Sequence, residues 1–457
     1  MPTRETLRAS LGASPRLRER WIWAADGHIA LAEAAAGTRF PGQRATLRDR
    51  SVLLRTQSML AAAAALIDLD GLARRIVICP PDLADEHLAG AAATAGVEVV
   101  AFDALTPAIA SLGLTLAPIS ERYEPLADET GDAVASEWVM FTSGTTGPPK
   151  MVVHSLDGLT GAIKPEANGP APVWGTFYDI RRYGGLQILL RAILGRGSLV
   201  LTEPSEALGD FLARLAVRGV THLTGTPSHW RRVLMSPEGR AIAPDYVRLS
   251  GEIADQAVLD ALKARFPRAK IGHAYASTEA GVGFEVNDGR EGFPASLLDQ
   301  PCGVEMRIVD GALQLRSRRT ATRYVGDAAP ALADADGFVD TGDMVERRGD
   351  RFHFTGRRGG VINVGGLKVH PEEIEAVINR HPAVQATLVR GRRSPITGAI
   401  IVADVVLGAP ANDEAALKAE IVSACRRDLA PYKAPTSIRF VASLAMTAGG
   451  KLERKGA

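Results

Sequence analysis

Over its amino-terminal half the sequence alternates short β-branched and apolar runs with helix-like stretches, and this alternation limits the possible folds more than any other feature. The runs at residues 76–79, 97–102 and 198–201 predict buried strands, and the stretches at 58–67 and 83–95 predict helices. Such alternation is typical of a sheet with helices packed on its faces. We therefore predict the α/β fold class for the larger part of the chain.

The chain length and a change in composition predict a second domain. With 457 residues, the chain is longer than a single hydrophobic core usually supports. Residues 349–366 are rich in Gly and Arg, which suits a junction. The elements predicted beyond it are a helix opened by Pro371, strands at 384–389 and 399–407, a helix at 413–428 and a strand at 437–441. We place the domain boundary between 1–357 and 358–457, the second being a small α+β domain.

Charge, hydropathy and cysteine content argue against several classes of function. The 53 basic and 52 acidic residues leave a formal charge of +1, which gives no electrostatic reason to expect a nucleic-acid partner. The longest apolar run, at 59–67, is too short to span a membrane. The amino terminus is polar, and the three cysteines are far apart, so neither a signal peptide nor a disulfide framework is expected. We expect a cytoplasmic protein.

The most informative segment follows the predicted strand at 138–141. It consists of Thr142, Ser143, Gly144, Thr145, Thr146 and Gly147, then two prolines and Lys150. Glycines let backbone amides approach a ligand, the hydroxyls donate hydrogen bonds, and Lys150 adds a cation. We therefore predict a phosphate-binding loop, with a surface turn as the alternative. The pattern of a P-loop NTPase is absent.

Four further motifs follow in order along the chain. They are the run 275–279 (YASTE), the run 341–343 (TGD), the segment 356–375 that begins with Gly356-Arg357, and Gly450-Lys451 near the end. Together with the loop after residue 141, this ordered set resembles the adenylate-forming (AMP-binding) superfamily, of the acyl-CoA synthetase type. The resemblance implies a large multi-sheet α/β domain followed by a small, mobile carboxyl-terminal α+β domain.

The resemblance also implies a reaction. A carboxylic acid attacks ATP to give an acyl-adenylate and pyrophosphate, and the acyl group then passes to a thiol, for which coenzyme A is expected. Because both reactants of the first step are anions, the site has to position them and neutralise their charge. Two alternatives remain open: a stand-alone ligase that loads an acyl or aminoacyl group onto a carrier protein, and a non-catalytic nucleotide-binding protein on the same fold.

Within this family pattern, three residues are assigned to catalysis. Lys451 corresponds to the lysine that bridges the substrate carboxylate and the α-phosphate. Thr278 is expected to contact a phosphate. Glu279 is expected to hold Mg²⁺, since a hard cation that bridges phosphates prefers carboxylate oxygen.

Other positions are assigned to the nucleotide. Tyr275 is expected to stack on adenine, Asp343 to accept hydrogen bonds from the ribose hydroxyls, and Arg357 to contact the ribose or the α-phosphate. The opposite wall of the adenine site is assigned to Ser250, Gly251 and Glu252. The small domain of the family turns about the residue two after the motif arginine, which is Gly359 here, and glycine can absorb such a change.

Two loops between the motifs, at 174–185 and 225–230, are expected to select the acid. The predicted substrate contacts are Tyr178, Asp179 and Gly225. Asp179 is also the candidate for holding an α-ammonium group. Two arginines follow directly, Arg181 and Arg182; they either meet a second carboxylate or point to solvent, and we expect solvent exposure, which is the common state of arginine.

Overall fold

The computed structural model describes most of the chain. The described residues are 6–14, 16–126, 132–142, 150–164, 169–203, 205–299, 303–326, 329–394, 398–447 and 450–454. Ser143, Gly144, Thr145, Thr146 and Gly147 of the predicted phosphate loop lie outside them.

The first third of the chain supplies two strands of one large sheet, five strands of a second large sheet and a separate strand pair. Its elements are α1 (Leu7–Gly12), β1 (Trp21–Trp23), β2 (His28–Ala30), α2 (Leu31–Ala36), β3 (Gly37–Thr38), α3 (Arg44–Leu47), β4 (Ser51–Arg55), α4 (Met59–Leu69), β5 (Arg75–Ile78), α5 (Asp85–Thr94), β6 (Val99–Phe102), α6 (Pro107–Ala110), β7 (Thr115–Pro118), β8 (Glu124–Pro125) and β9 (Glu137–Phe141).

The middle of the chain continues the alternation and ends in antiparallel strands. Its elements are β10 (Met151–Ser155), α7 (Leu156–Thr160), β11 (Val173–Thr176), α8 (Tyr183–Leu194), β12 (Ser198–Leu201), α9 (Leu208–Val217), β13 (His222–Gly225), α10 (Pro227–Met235), β14 (Tyr246–Ser250), α11 (Gln256–Arg265), β15 (Lys270–Ser277), β16 (Gly281–Val286), β17 (Phe293–Pro294), β18 (Val304–Val309), β19 (Ala312–Ser317), β20 (Arg323–Tyr324), β21 (Val339–Arg348) and β22 (Arg351–Arg357).

The last hundred or so residues form a separate small sheet with two helices. The elements are β23 (Ile362–Val364), β24 (Leu367–Val369), α12 (Pro371–Ile378), β25 (Val384–Ser394), β26 (Gly398–Leu407), α13 (Glu414–Asp428) and β27 (Ser437–Phe440). The strand order β25-β26-β27 is distinct from the sheets of the larger part.

Two large sheets carry the amino-terminal domain. One has the order β16-β15-β14-β13-β11-β12-β1-β2, and its strands from β15 to β1 run parallel. The other has the order β20-β10-β9-β5-β4-β6-β7 and is parallel from β9 to β7. Parallel strands need crossover connections, and the helices predicted between the strands provide them.

The main core lies between these two sheets. Helices α4 and α8 pack there, together with Val52 and Leu54 of β4 and Leu199 and Leu201 of β12. Helix α4 is apolar on nearly every side, from Met59 to Leu69. A helix that is apolar all round has to be buried on all sides, and the space between two sheets meets that requirement.

The sequence-based elements agree closely with the structure. The predicted helix at 58–67 is α4, capped by the Ser58 hydroxyl, and the predicted helix at 413–428 is α13, capped by the Asp413 side chain. The strand expected at 384–389 is longer and reaches Ser394. The α/β fold with a large amino-terminal and a small carboxyl-terminal domain is confirmed, whereas the boundary after residue 357 stays a prediction. Among the described residues, no helix has the length and hydropathy needed to cross a bilayer.

Candidate active site

A cleft of about 1950 Å³ lies where several parallel strands end. The residues that follow the carboxyl ends of β11, β13, β14 and β15 line it, and the carboxyl-terminal domain closes its far side. Ligands of open α/β sheets bind at this edge because the loops that leave neighbouring parallel strands converge there. The cleft exceeds the usual volume of a pocket for one small ligand, which is roughly 300–1,000 Å³.

The two described ends of the predicted phosphate loop meet at the cleft. Thr142 follows β9 and Lys150 precedes β10, and the Thr142 amide donates to the Lys150 carbonyl at 2.8 Å. The Lys150 ammonium lies 5.4 Å from the ring centroid of Tyr324. Both Thr142 and Lys150 line the cleft, as their predicted role requires.

Thr278 and Glu279 lie at the end of β15 and line the same cleft. Nε2 of His154 donates to the Thr278 carbonyl at 2.8 Å, so this histidine holds the turn in place. Burial lowers the pKa of His154 to about 4, which keeps the ring neutral at neutral pH. The sequence offered no signal for His154, because its partner is 124 residues away.

Tyr275, Asp343 and Arg357 form one hydrogen-bonded group. The Tyr275 hydroxyl donates to Oδ2 of Asp343 at 2.6 Å, and Nε of Arg357 donates to Oδ1 at 3.0 Å. The Tyr275 ring stacks near-parallel with Phe354 at a centroid distance of 5.1 Å. Each carboxylate oxygen of Asp343 keeps a lone pair for a ribose hydroxyl. The expected contacts with the nucleotide stay predictions.

Lys451 enters the cleft from the carboxyl-terminal domain, and its neighbours are fixed to the larger domain. The Thr226 hydroxyl donates to the Gly450 carbonyl at 2.7 Å, and the Leu452 amide donates to Oε1 of Glu252 at 2.9 Å. Gly450 has φ +70°, and a Cβ there would overlap the His229 ring. Glycine is therefore required before Lys451 both for its backbone conformation and for space.

The charged groups that act on the Lys451 ammonium belong to the larger domain. Its side chain keeps access to the solvent of the cleft, but the surrounding protein lowers the pKa of Lys451 by desolvation, and the Arg357 guanidinium lowers it further. The carboxylates of Glu252 and Asp343 oppose that shift. A cation in such surroundings is attracted strongly to an anion brought beside it.

The wall formed by residues 250–252 differs in part from its expected role. Ser250, Gly251 and Glu252 all line the cleft, and the added Cβ of Gly251 would lie 3.4 Å from Cε of Lys451. Both oxygens of Glu252 accept backbone hydrogen bonds, one from Leu452 and one from Ser228. Glu252 thus holds the lysine segment in place, and its predicted contact with adenine stays untested.

Tyr178 borders the side of the cleft where the acid is expected. Its hydroxyl donates to the Ser250 carbonyl at 2.9 Å, and its ring faces Gly184 of α8, whose added Cβ would lie 3.7 Å away. Burial raises the pKa of Tyr178. Gly225 lies behind Phe177 and is absent from the described lining of the cleft. A Cβ at this position would lie 2.9 Å from the Phe177 ring, so close packing against Phe177 explains why the residue is glycine.

The expectation that Arg181 points to solvent is wrong. Arg181 is 1% exposed, and its guanidinium donates to both carboxylate oxygens of Asp179, at 2.8 and 2.6 Å. It also donates to the Thr56 and Gln57 carbonyls. The Thr56 and Gln57 carbonyls need hydrogen-bond donors, and a buried guanidinium supplies several N–H donors at once. Asp179 is therefore engaged inside the protein, and its role as a substrate contact stays an untested prediction.

Glu279 is the carboxylate of the cleft that the family pattern assigns to Mg²⁺. No group of three or more His, Cys, Asp or Glu side chains arranged for a metal occurs among the described residues. Mg²⁺ bound to a nucleotide usually takes one or two protein carboxylates, and phosphates and water complete its octahedron. Glu279, in the cleft beside the expected phosphates, fits that donor set.

The fold and the cleft together define an α/β protein whose small carboxyl-terminal domain places a lysine in a large site lined by both basic and acidic side chains. Residues 62–320 match the AMP-binding enzyme family, and residues 373–451 match the AMP-binding enzyme C-terminal domain. The chain belongs to the AMP-binding enzyme family.

Known proteins similar to this chain include CoA ligases. A sulfoacetate–CoA ligase of Cupriavidus necator is 28% identical over 356 residues, which cover 73% of this chain and 68% of that protein. A 2-succinylbenzoate–CoA ligase of Listeria innocua is 27% identical over 379 residues, covering 78% and 77%. The predicted family is thereby confirmed.

A solved structure supports the fold over nearly the whole chain. The anthranilate CoA ligase AuaEII, in complex with anthranoyl-AMP, superimposes with a TM-score of 0.80 and 19% sequence identity, covering 99% of this chain and 96% of that chain. At this identity the likeness establishes the fold.

Proposed function

We propose that this chain is an AMP-forming acid–thiol ligase. It joins a carboxylic acid to the α-phosphate of ATP, releases pyrophosphate, and transfers the acyl group from the adenylate to the thiol of coenzyme A. Its relatives from Cupriavidus necator and Listeria innocua are CoA ligases, which supports both the reaction class and the acceptor.

The observation that carries the proposal is the position of Lys451. Gly450 and Leu452, on either side of it, are hydrogen-bonded to Thr226 and Glu252 of the large domain. The lysine thus shares one cleft with Glu279, Asp343 and Arg357, although these residues come from distant parts of the sequence. A protein that only bound nucleotide would not need a lysine delivered by a second domain.

The arrangement addresses the repulsion between two anions. A carboxylate oxygen attacks the α-phosphorus, the bond to the bridging oxygen breaks, and pyrophosphate leaves with that electron pair. In the proposed reaction Lys451 contacts both the incoming carboxylate and the α-phosphate oxygens, so its charge offsets their repulsion as they approach. Asp343 and Arg357 position the nucleotide, and Thr278 contacts a phosphate. Mg²⁺ bound at Glu279 would supply further neutralisation of the phosphate charge.

Replacement of Lys451 tests the proposal. In Lys451→Ala, carboxylate-dependent exchange of pyrophosphate into ATP should fall on the order of 10²- to 10³-fold, because a preorganised cation at the transition state is lost. ATP binding, measured by calorimetry, should change little. If the wild-type chain catalyses no exchange with a broad panel of acids, the proposed function is wrong.

The pH dependence of the exchange tests the same residue independently. Since desolvation and Arg357 lower the pKa of Lys451 from its ordinary value of 10.5, wild-type exchange should decline at a pH below that value as the ammonium loses its proton. Lys451→Arg should be slower but should lack this alkaline decline, because the guanidinium stays protonated. An identical decline in both enzymes would exclude Lys451 as its origin.

The acceptor is tested separately. Thioester formation should require coenzyme A and follow adenylate formation in a single-turnover experiment. An adenylate that is stable to coenzyme A but is consumed by an acyl carrier protein would instead identify a carrier-loading ligase. Rapid quench with chromatography of the acyl product distinguishes the two results.

A further inference from the structure

Two arginines lie behind the acid-binding side of the cleft. Arg248 is on β14 and only 8% exposed, and Arg191 is on α8 and partly buried. Arg191 donates to the Ala162 carbonyl at 3.2 Å, while its buried Nε has no hydrogen-bond partner among the described residues. Neither arginine was singled out by any sequence motif.

Arg248 is directly below a wall of the cleft. It is two residues before Ser250 on β14, so both side chains lie on the same face of the sheet. Ser250 pairs with Ala274 of β15, and both line the cleft. The partner of Arg248 on β15 is Gly272, and an added Cβ there would overlap Oδ1 of Asn287, so the Asn287 side chain occupies the space beside this glycine.

The charge in this region is not balanced. Within the described part of the chain, no carboxylate contacts Arg248 as an ion pair, and its side chain has no hydrogen bond. The carboxylate that faces it is Glu285, which accepts a hydrogen bond from the Tyr246 hydroxyl. Arg191, Arg248 and Glu285 together keep one net positive charge. Arg319 is also near Arg191 and adds another positive charge, so positive charge remains in excess in this region.

The titration behaviour agrees with this excess. Burial, and next the neighbouring Arg248, lower the pKa of Arg191 to about 10. Burial raises the pKa of Glu285, but Arg248, the hydrogen bond from Tyr246 and then Arg191 together more than offset that effect and lower it overall. Uncompensated charge away from water is unfavourable unless an anion is bound beside it.

We propose that Arg248, assisted by Arg191, binds a second anionic group at the far end of the substrate acid. The substrate class is then a dianionic acid, with one carboxylate for adenylation and a distal carboxylate or sulfonate for the arginines. This inference rests on the proposed function and specifies its substrate.

The geometry limits the length of that acid. Gly251, beside Lys451, is three residues from Arg248, which is roughly 10 Å along a strand. The arginine side chain spans part of this distance. A linker of a few carbon atoms, or of one aromatic ring, therefore joins the two anionic groups. Tyr178, which donates to the Ser250 carbonyl at 2.9 Å, lies on this side of the cleft.

Arg182 is a weaker candidate for the same task. It also lines the cleft, but its guanidinium forms an ion pair with Asp82. The charge of Arg182 is thus already neutralised inside the protein, whereas that of Arg248 is not.

Matched pairs of acids test the inference in the wild-type enzyme. Pyrophosphate exchange is measured with butanoate against butanedioate, and with benzoate against carboxymethylbenzoate. The dianion of a pair should be preferred on the order of 10- to 100-fold in kcat/KM, as expected for a charged hydrogen-bonded contact. Exchange with monoanions alone would overturn this inference but not the proposed function; exchange with no acid at all would overturn both.

Variants then assign the preference to Arg248. In Arg248→Met the dianion preference should disappear, with kcat/KM for the monoanion changed less than about threefold. Arg248→Lys, which keeps the charge, should restore part of the preference. Arg265→Met removes a partly buried arginine from α11, away from the cleft, and should leave the preference unchanged.

Glu285→Gln distinguishes substrate binding from a purely structural role. If Arg248 binds substrate, removal of the competing carboxylate should strengthen dianion binding and lower KM for the dianion. If Arg248 and Glu285 only stabilise the fold, both Arg248→Met and Glu285→Gln should lower the melting temperature without any change in acid preference. That second result would overturn the inference.

Discussion

At the scale of single residues, charged side chains of the same type perform different tasks that their sequence neighbours do not reveal. Arg181 and Arg182 are adjacent, yet Arg181 is buried on Asp179 while Arg182 lines the cleft beside Asp82. The free energy of a guanidinium depends on which carboxylates and carbonyls surround it. Those groups come from other strands and loops, so the general preference of arginine for the surface misled the prediction for Arg181.

Asp179 provides a prediction at this scale. In Asp179→Asn the Arg181 guanidinium stays buried without a carboxylate, so we expect the free energy of unfolding to fall by about 3–5 kcal/mol. The order of preference among acids should stay the same. Urea denaturation and the acid panel measure the two effects.

Asp260→Asn is a suitable control for that experiment. Asp260 is an exposed residue of α11, so its replacement should change the free energy of unfolding by less than about 0.5 kcal/mol. A stable Asp179→Asn variant with altered acid preference would instead assign Asp179 to the substrate.

At the scale of elements, the segment that carries Lys451 is held at both ends. Its residues form a short hairpin in which Met446 pairs with Leu452 and the Thr447 amide donates to the Lys451 carbonyl at 2.8 Å. Three residues after the lysine, Arg454 makes two hydrogen bonds to Glu375 of α12, at 2.9 and 2.7 Å. Burial lowers the pKa of Arg454, but the carboxylates of Glu375 and Glu372 raise it overall.

The Arg454 contact predicts a coupling between the hairpin and catalysis. Arg454→Met should slow pyrophosphate exchange by about tenfold, because the hairpin no longer presents Lys451 in one position. The loss of stability should be modest, about 1–2 kcal/mol, since the Arg454 side chain is 35% exposed. Exchange kinetics and thermal unfolding measure these effects.

Arg427→Met provides the matched control for Arg454. Arg427 pairs with Asp428 at the exposed end of α13 in the same domain. Its replacement should leave exchange unchanged. Equal rates in the Arg454→Met variant and the wild-type enzyme would show that the hairpin needs no anchor on α12.

The order of elements also explains why distant motifs meet. The segments after β11, β13, β14 and β15 are far apart in sequence, but the strands run parallel in one sheet, so their carboxyl ends share an edge. Recognition of the strands predicted the sheet. The strand order, which sets the neighbours of each loop, depends on packing between the sheets.

At the scale of the whole molecule, the two domains meet over the cleft. Lys451 is in the cleft, Arg358 pairs with Asp340 at 2.9 Å, and Asn379 of the small domain donates to Asp255 at 3.3 Å. Transfer to coenzyme A requires a second arrangement of the domains if this chain follows the family pattern. The junction at Gly359 and Gly360 is where we expect the chain to turn.

The junction yields a prediction about the two half-reactions. A Cβ at Gly359 meets no atom within 4 Å, and one at Gly360 lies 3.9 Å from Arg357, so alanines fit the present arrangement. In the double variant Gly359→Ala, Gly360→Ala, pyrophosphate exchange should stay within about threefold of wild type. Thioester formation should fall by about tenfold, because alanine disfavours backbone conformations that glycine permits.

Separate assays of exchange and of thioester product measure that difference. Gly408→Ala, in the turn after β26, serves as a control glycine in the same domain and should affect neither reaction selectively. If the junction variant loses both activities in parallel, the turn does not lie at these glycines.

The sequence by itself determined the α/β class, most of the helices and strands, and the family, and it singled out Lys451 as the candidate catalytic lysine. These depend on the local pattern of apolar residues and on short motifs, and both consist of residues that are close together in the sequence. Only the tertiary structure decided that Glu252 and Thr226 anchor the Lys451 segment, that His154 supports Thr278, and that Arg181 is buried. Each of those contacts joins residues from separate elements, and its energy exists only once the chain has packed and water has left the space between them.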